Sequence, residues 1–334
     1  MSSLVEYSFE IEKLARILKF MQAKRVLIQL PNGLKPYASH IEKLLKSMLP
    51  NISIFFSGGD AYGPCDIAFD EAKLINADVI VHYGHPTLGI SSSEIPVIYL
   101  PAIVNISPKV DIVISEIRRR GYSNVGISGS IQHVNLINTL ADELKKVGIN
   151  VYIGTRHGFP PGIILGCDYT AALAIDKYVD VHLVVAGGIF HALGLRMITD
   201  KEVLAYDPYR NTVISASDEY KRRLALKLKQ LLDFDKLDLF GIIICKKVGQ
   251  FNMRLAIKAS ELLRDMDRQS LFIVVDNVNP ETLGHFTDVD AFVNTCCPRL
   301  SIDDIDRFNK PIFSLYDLKV MLKKDISAYS LKLE

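Results

Sequence analysis

No excess of one charge, no long apolar run and no C-x-x-C or C-x-x-H spacing marks this sequence, and each absence closes off a class of function. The chain of 334 residues carries 39 basic and 38 acidic side chains. Binding nucleic acid or acidic lipid by counterion release needs a clustered basic excess, so no direct nucleic-acid contact is expected. The basic triplets at 118–120 and 221–223 lie in helix-like stretches and read as solvated helix faces. The opening Met1-Ser2-Ser3-Leu4-Val5-Glu6 lacks the basic start and apolar stretch of a secretory signal. The longest apolar runs, Leu183 to Phe190 and Gly241 to Cys245, fall far short of the ~20 residues of a membrane helix. The expectation is a soluble, cytoplasmic protein with no membrane partner. In that compartment thiols stay reduced, so the 5 cysteines are not expected to form a disulfide framework. Zinc-type C-x-x-C or C-x-x-H spacing is also missing.

What is present is an alternation of short β-branched runs with helical patterns, the mark of βαβ units and a parallel sheet. The order of elements recurs three times with a period of about 110 residues. Strands are predicted at Arg25–Leu30, Ile52–Phe56, Asp78–Tyr83 and Val97–Leu100 in the first third. The second third offers Asn124–Ser128, Asn150–Ile153, Val181–Val185 and Val203–Tyr206. In the last third they fall at Leu239–Cys245, Ser270–Val275, Ala291–Asn294 and Ile312–Ser314. Helices fill the gaps, among them Asp66–Asn76 and Thr170–Tyr178. The phrases "ADVIVHYGH", "VDVHLVVAGG" and "VDAFVNTCC" align, each placing an acidic residue at the head of a buried β-run. The predicted fold is α/β: three pseudo-symmetric repeats (1–108, 109–214 and 215–334), each a small, mostly parallel sheet with flanking helices, around a central cluster site.

Ligands of open α/β sheets bind beyond the carboxyl ends of the strands, and four of the five cysteines lie there. Cys65 follows the second strand of the first repeat and Cys167 that of the second; Cys296 and Cys297 follow the third strand of the last. Cys65 and Cys167 each precede an Asp and a predicted helix, whose N-terminus would favour thiolate. Adjacent residues in extended chain point opposite ways, so one of Cys296 and Cys297 faces the centre. Three soft sulfur ligands meeting there suit a [4Fe–4S] cluster with one iron left open. Spacing alone leaves a Cys–His catalytic pair open beside this reading. Cys245, closing an apolar run, reads as a small core residue.

The phrases "VLIQLPNGLK", "GGDAYGPCD", "VIVHYGH", "HGFPPGIILGCDYTAA" and "FVNTCCPRLSIDD" together resemble the archaeal diphthamide-synthesis enzymes, the 2-(3-amino-3-carboxypropyl)histidine synthases. The resemblance runs from about Leu27 to Tyr316 and covers nearly the whole chain. It implies a triplicated fold whose repeats each give one cysteine to a [4Fe–4S] cluster: Cys65, Cys167 and Cys297. The last is chosen over Cys296 because it precedes Pro298-Arg299. Cys296 stands where the family usually has a small residue, which leaves a spare thiol near the cluster.

The implied reaction is the first step of diphthamide formation. S-adenosylmethionine is the substrate, and an external electron donor, not identified by the sequence, reduces the cluster. The 3-amino-3-carboxypropyl group then passes to C2 of a histidine on translation elongation factor 2, releasing methylthioadenosine. The C-x-x-x-C-x-x-C loop of the familiar radical enzymes of this cofactor is absent. In the matched loops Tyr62, His82, His85, Gln250 and Arg299 are candidates to hydrogen-bond the cluster sulfides or the amino-acid end of the cofactor, with Arg299 the expected grip on its carboxylate. A homodimer is also implied. Two alternatives stand beside this reading: a Lewis-acid enzyme resembling quinolinate synthase, and a non-catalytic electron-relay subunit.

Overall fold

The computed structural model describes residues 6–90 and 94–333. It is a mixed α/β protein of several mostly parallel sheets. The first sheet runs Ser53–Phe56, Arg25–Gln29, Val79–Tyr83, Val97–Leu100, all parallel. Next comes Asn150–Tyr152, Asn124–Gly129, Val181–Val185, Glu202–Asp207, again parallel, with Thr212–Ser215 added antiparallel at the edge. The last is Gln269–Val275, Leu239–Cys245, Ala291–Asn294, Ile312–Phe313. In each sheet the first strand in sequence lies between the second and the third. A two-stranded ribbon, Tyr7–Ser8 against Ile103–Val104, completes the β-structure of the described residues.

The central strands are β-branched because helices cover both faces, which leaves no polar side to alternate with. Val79–Tyr83 and Val181–Val185 are buried along their whole length. Each sheet also packs its own apolar cluster: Leu14, Val26, Ile41 and Val81 in the first, Val113, Ile127, Leu140 and Leu183 in the second, Phe240, Ile244, Leu263 and Val293 in the third. Helix Ile11–Phe20 illustrates the sequence logic, since its buried residues Ile11, Leu14, Ala15 and Leu18 recur at helical spacing.

The acidic residue at the head of each aligned phrase has one job in all three places. Asp78 Oδ2 accepts hydrogen bonds from the backbone N–H groups of Lys24 and Arg25, at 2.6 and 2.8 Å. Asp180 Oδ2 accepts those of Ser123 and Asn124 at 3.1 and 2.8 Å, and Asp290 Oδ2 those of Asp238 and Leu239, both at 2.9 Å. Each carboxylate sits at the mouth of its own strand and ties down the entry of the strand beside it. These bonds favour the ionised form and hold all three groups below the usual carboxylate range.

Two expected helices are shorter than predicted. Asp66–Asn76 contracts to Phe69–Leu74, and Thr170–Tyr178 to Thr170–Leu173 plus a single turn, Asp176–Tyr178. In the first, the backbone of 66–68 is drawn instead onto Gln29: its Nε2 donates to the Asp66 carbonyl at 2.7 Å and its Oε1 accepts the Ala68 N–H at 3.3 Å. At the far end of the chain, Lys227 and Asp317 form an ion pair of 3.1 Å with both side chains 1% exposed. Ser314 and Asp317 form a capping box on Leu315–Lys323, and Tyr329 donates to the same carboxylate at 2.6 Å.

Candidate cluster site

Loops from all three sheets meet at one cavity of about 370 Å³, and Cys65, Cys167 and Cys297 all line it. All three are free thiols. They stand close enough for the charge of each to bear on another. Among the described residues no three metal-binding side chains converge on a single-ion point.

The expected helix-dipole activation of these thiols is not what the structure provides. The helix after Cys65 starts only at Phe69, and the one after Cys167 is a single short turn. Burial outweighs any dipole: desolvation pushes Cys65 and Cys167 up and raises Cys297 to about 12. A metal must therefore displace the protons as it binds.

Backbone proximity holds the cysteine loops together. The Gly249 N–H donates to the Cys65 carbonyl at 3.0 Å, and Gln250 Nε2 to Cys65 Sγ at 3.3 Å. A Cβ on Gly249 would stand 2.6 Å from the Cys65 Cα, so only glycine lets the 246–250 loop lie so close. The same loop sends Lys247 to pair with Asp66 and to lie over the Tyr62 ring, 4.6 Å from its centroid. Tyr62 is 66% exposed and donates to Asp60 Oδ2 at 2.9 Å, at the cavity's rim rather than its floor.

Arg299 departs from the expected role. It is 3% exposed, and its five N–H groups are all bound within the protein. Nε and Nη2 grip Asp303 at 2.5 and 2.7 Å, Nη1 donates to the Gly166 carbonyl at 3.0 Å and the Tyr169 hydroxyl at 2.8 Å, and Nη2 to the Phe190 carbonyl at 2.7 Å. No donor is left for a ligand carboxylate. Arg299 is a strut between the Cys297 turn and the Cys167 loop. Gly194 makes room for it, since a Cβ there would lie 2.2 Å from Nη1.

His82 is also misplaced by the sequence reading. It is fully buried behind His85 and does not line the cavity. His85 does, as does Gln250. The sequence reading missed Gln29, Asp66, Lys247 and His191, of which Lys247 and His191 line the cavity, His191 with Nδ1 buried and unpartnered. Its place beyond the carboxyl end of Val181–Val185 was the available signal.

The remaining cysteines do not stay thiols. Cys245 and Cys296 are joined in a disulfide with Cα atoms 5.6 Å apart, which corrects the expectation that no cysteine pairs and that Cys296 is a spare thiol. Cys245 is nonetheless the core residue expected, 1% exposed.

The family model described as "Putative diphthamide synthesis protein" matches residues 30–330. A 2-(3-amino-3-carboxypropyl)histidine synthase of Pyrococcus horikoshii is 33% identical over 91% of this chain and 87% of its own length. Subunit 1 of the enzyme of that name from Saccharomyces cerevisiae is 29% identical over 96% of this chain and 76% of its own. The crystal structure of Dph2 from Pyrococcus horikoshii with a 4Fe-4S cluster superposes with a TM-score of 0.83 at 30% identity, covering 98% of this chain and 94% of that one.

Proposed function

The chain belongs to the diphthamide synthesis family, and on that footing we propose that it catalyses transfer of the 3-amino-3-carboxypropyl group of S-adenosylmethionine to C2 of a histidine of translation elongation factor 2. Its relatives' name makes it an enzyme, a transferase of diphthamide biosynthesis. One observation carries the reading: three free cysteines, one from each sheet, on a single cavity. Cys65, Cys167 and Cys297 would hold a [4Fe–4S] cluster like that of the neighbour's crystal structure. Bound there and reduced by an external donor, that group would supply the electron for cleavage of the sulfonium at the γ-carbon, with methylthioadenosine as the leaving product. The protein's own part is to seat the reactants beside the three thiols and keep water and oxygen away. Gln250 is placed to donate to whatever sulfur stands at Cys65.

The shared strand order and the three matching carboxylates, Asp78, Asp180 and Asp290, support reading the fold as a triplication around this centre. No described helix is long and apolar enough to cross a membrane. A homodimer is part of the proposal. It is supported by Gln269–Val275, an edge strand with Phe272 and Val274 exposed at 51% and 59%.

The test is anaerobic. Alkylation of the apoprotein before reduction should modify three of the five cysteines. Reconstitution with iron and sulfide should give a brown protein with a reducible spin signal. With dithionite and labelled S-adenosylmethionine it should release methylthioadenosine and label the elongation factor. Cys65→Ala, Cys167→Ala and Cys297→Ala should each lose or impair the cluster. A cluster that leaves S-adenosylmethionine intact sinks the transferase reading.

A further inference from the structure

A chain of buried hydrogen bonds leads from the first sheet to the cavity wall, and it fixes the tautomer of His85. Gln29 is set first. Its Nε2 donates to the Asp66 carbonyl, which can only accept, and its Oε1 accepts from the Ala68 N–H, which can only donate. The amide orientation is thus assigned twice over. His82 Nδ1 lies 3.0 Å from that Oε1, so it must be the donor and carry the proton. A neutral imidazole has one N–H, which leaves His82 Nε2 as an acceptor. His85 Nδ1 stands 2.9 Å from it and must donate. His85 Nε2 is then bare.

Both rings are neutral, because burial lowers His82 to about 3 and His85 to about 4. Among the described residues no protein group bonds to His85 Nε2, and His85 lines the cavity that the three thiols share. The protein has therefore built a fixed lone pair at its reaction centre. A bare nitrogen cannot donate to a cluster sulfide or to a carboxylate, so the donor role expected of His85 is closed to it.

We propose that His85 Nε2 accepts the ring N–H of the target histidine and so seats its imidazole in the cavity. The inference rests on the transferase reading and deepens it. A neutral imidazole carries one N–H, and C2 is bonded to both ring nitrogens. Holding that N–H fixes the ring plane and presents C2 beside the acceptor. A cationic amine is the competing donor, but it would favour a free carboxylate. The two at this cavity, Asp303 and Asp304, are already paired with Arg299 and Arg307.

The first arm of the test uses the apoprotein. In long-range proton–nitrogen spectra of histidine-labelled protein, His85 should show a protonated Nδ1 and a bare Nε2, assigned by its loss in His85→Gln. Imidazole should move the His85 Nε2 signal, whereas 1-methylimidazole, which has no N–H, should not. A protonated Nε2 overturns the proposal, and so does a response to methylammonium but not to imidazole.

The second arm uses the cluster-loaded enzyme. His85→Leu should still release methylthioadenosine while labelling of the elongation factor falls about tenfold to a hundredfold, the scale of one buried hydrogen bond. His85→Gln, which keeps a donor and an acceptor, should restore much of the transfer. Should His85→Leu fail to fold, the comparison of wild type with His85→Gln and the apoprotein spectra still decide. Wild-type transfer by His85→Leu overturns this inference alone. Absence of methylthioadenosine from the wild type overturns the transferase reading with it.

Discussion

Arg299 is two residues from Cys297 and beside the cavity that the three thiols line, and at that range a guanidinium can serve a ligand or the scaffold. The count of its hydrogen bonds decides. Five donors meet Asp303, Gly166, Tyr169 and Phe190, and the guanidinium also stacks 3.8 Å over the Phe190 ring. Arg299→Ala should therefore act on the fold. It leaves a part-buried Asp303 carboxylate without a partner, a loss of about 3–5 kcal/mol for one broken buried pair. The urea midpoint should fall and the reconstituted cluster should bleach faster, because the Cys167 loop loses its tie. Arg299→Lys should rescue little, since a point ammonium cannot span a fork of five donors. If Arg299 held the cofactor's carboxylate instead, stability would be unchanged and S-adenosylmethionine affinity would fall.

At the scale of strands and helices, the aligned phrases show how far residue pattern reaches. The acidic residue before each buried run is legible in sequence, and its role as a clamp on the neighbouring strand becomes visible only with the register. Because hydrogen bonds to the ionised form lower the folded pKa of Asp78, Asp180 and Asp290 below 3.8, the stability they add is fully present above about pH 4. It is lost as pH falls through the lowered values. Acid titration of the fold should be flat above pH ~5 and steepen below ~4. The triple Asp→Asn variant should be less stable at neutral pH and lose less on acidification. Equal acid slopes for variant and wild type would refute the clamp.

The strands were legible because apolar period is a local signal, and the Gly/Pro loops marked Cys65 and Cys167 as residues of the central cavity, whereas spacing alone left Cys296 and Cys297 undivided. The helices after the cysteines were overpredicted, because a buried amide on another strand, Gln29, captured the backbone of 66–68. Pairings between distant residues, such as Cys245 with Cys296 and Arg299 with Gly166, have no local signal at all.

For the whole molecule the question is what covers the third sheet. Its outermost strand, Gln269–Val275, is seven residues long and pairs on one side only among the described residues. The other two sheets end their corresponding edge in shorter strands, Ser53–Phe56 and Asn150–Tyr152. A long edge with protruding apolar side chains is a template for pairing, and natural proteins blunt such edges unless they are used. Phe272 and Val274 project from one face of this strand, and Phe251, Met253 and Ile257 are exposed nearby at the start of the helix that packs on it. A second copy related by a two-fold axis would cover both edges at once. Phe272→Asp with Val274→Asp should convert a dimer to a monomer in sedimentation equilibrium, with cluster loading retained because neither side chain lines the cavity. A dimer that survives the double substitution would move the interface elsewhere, and a wild type that sediments as a monomer would remove it.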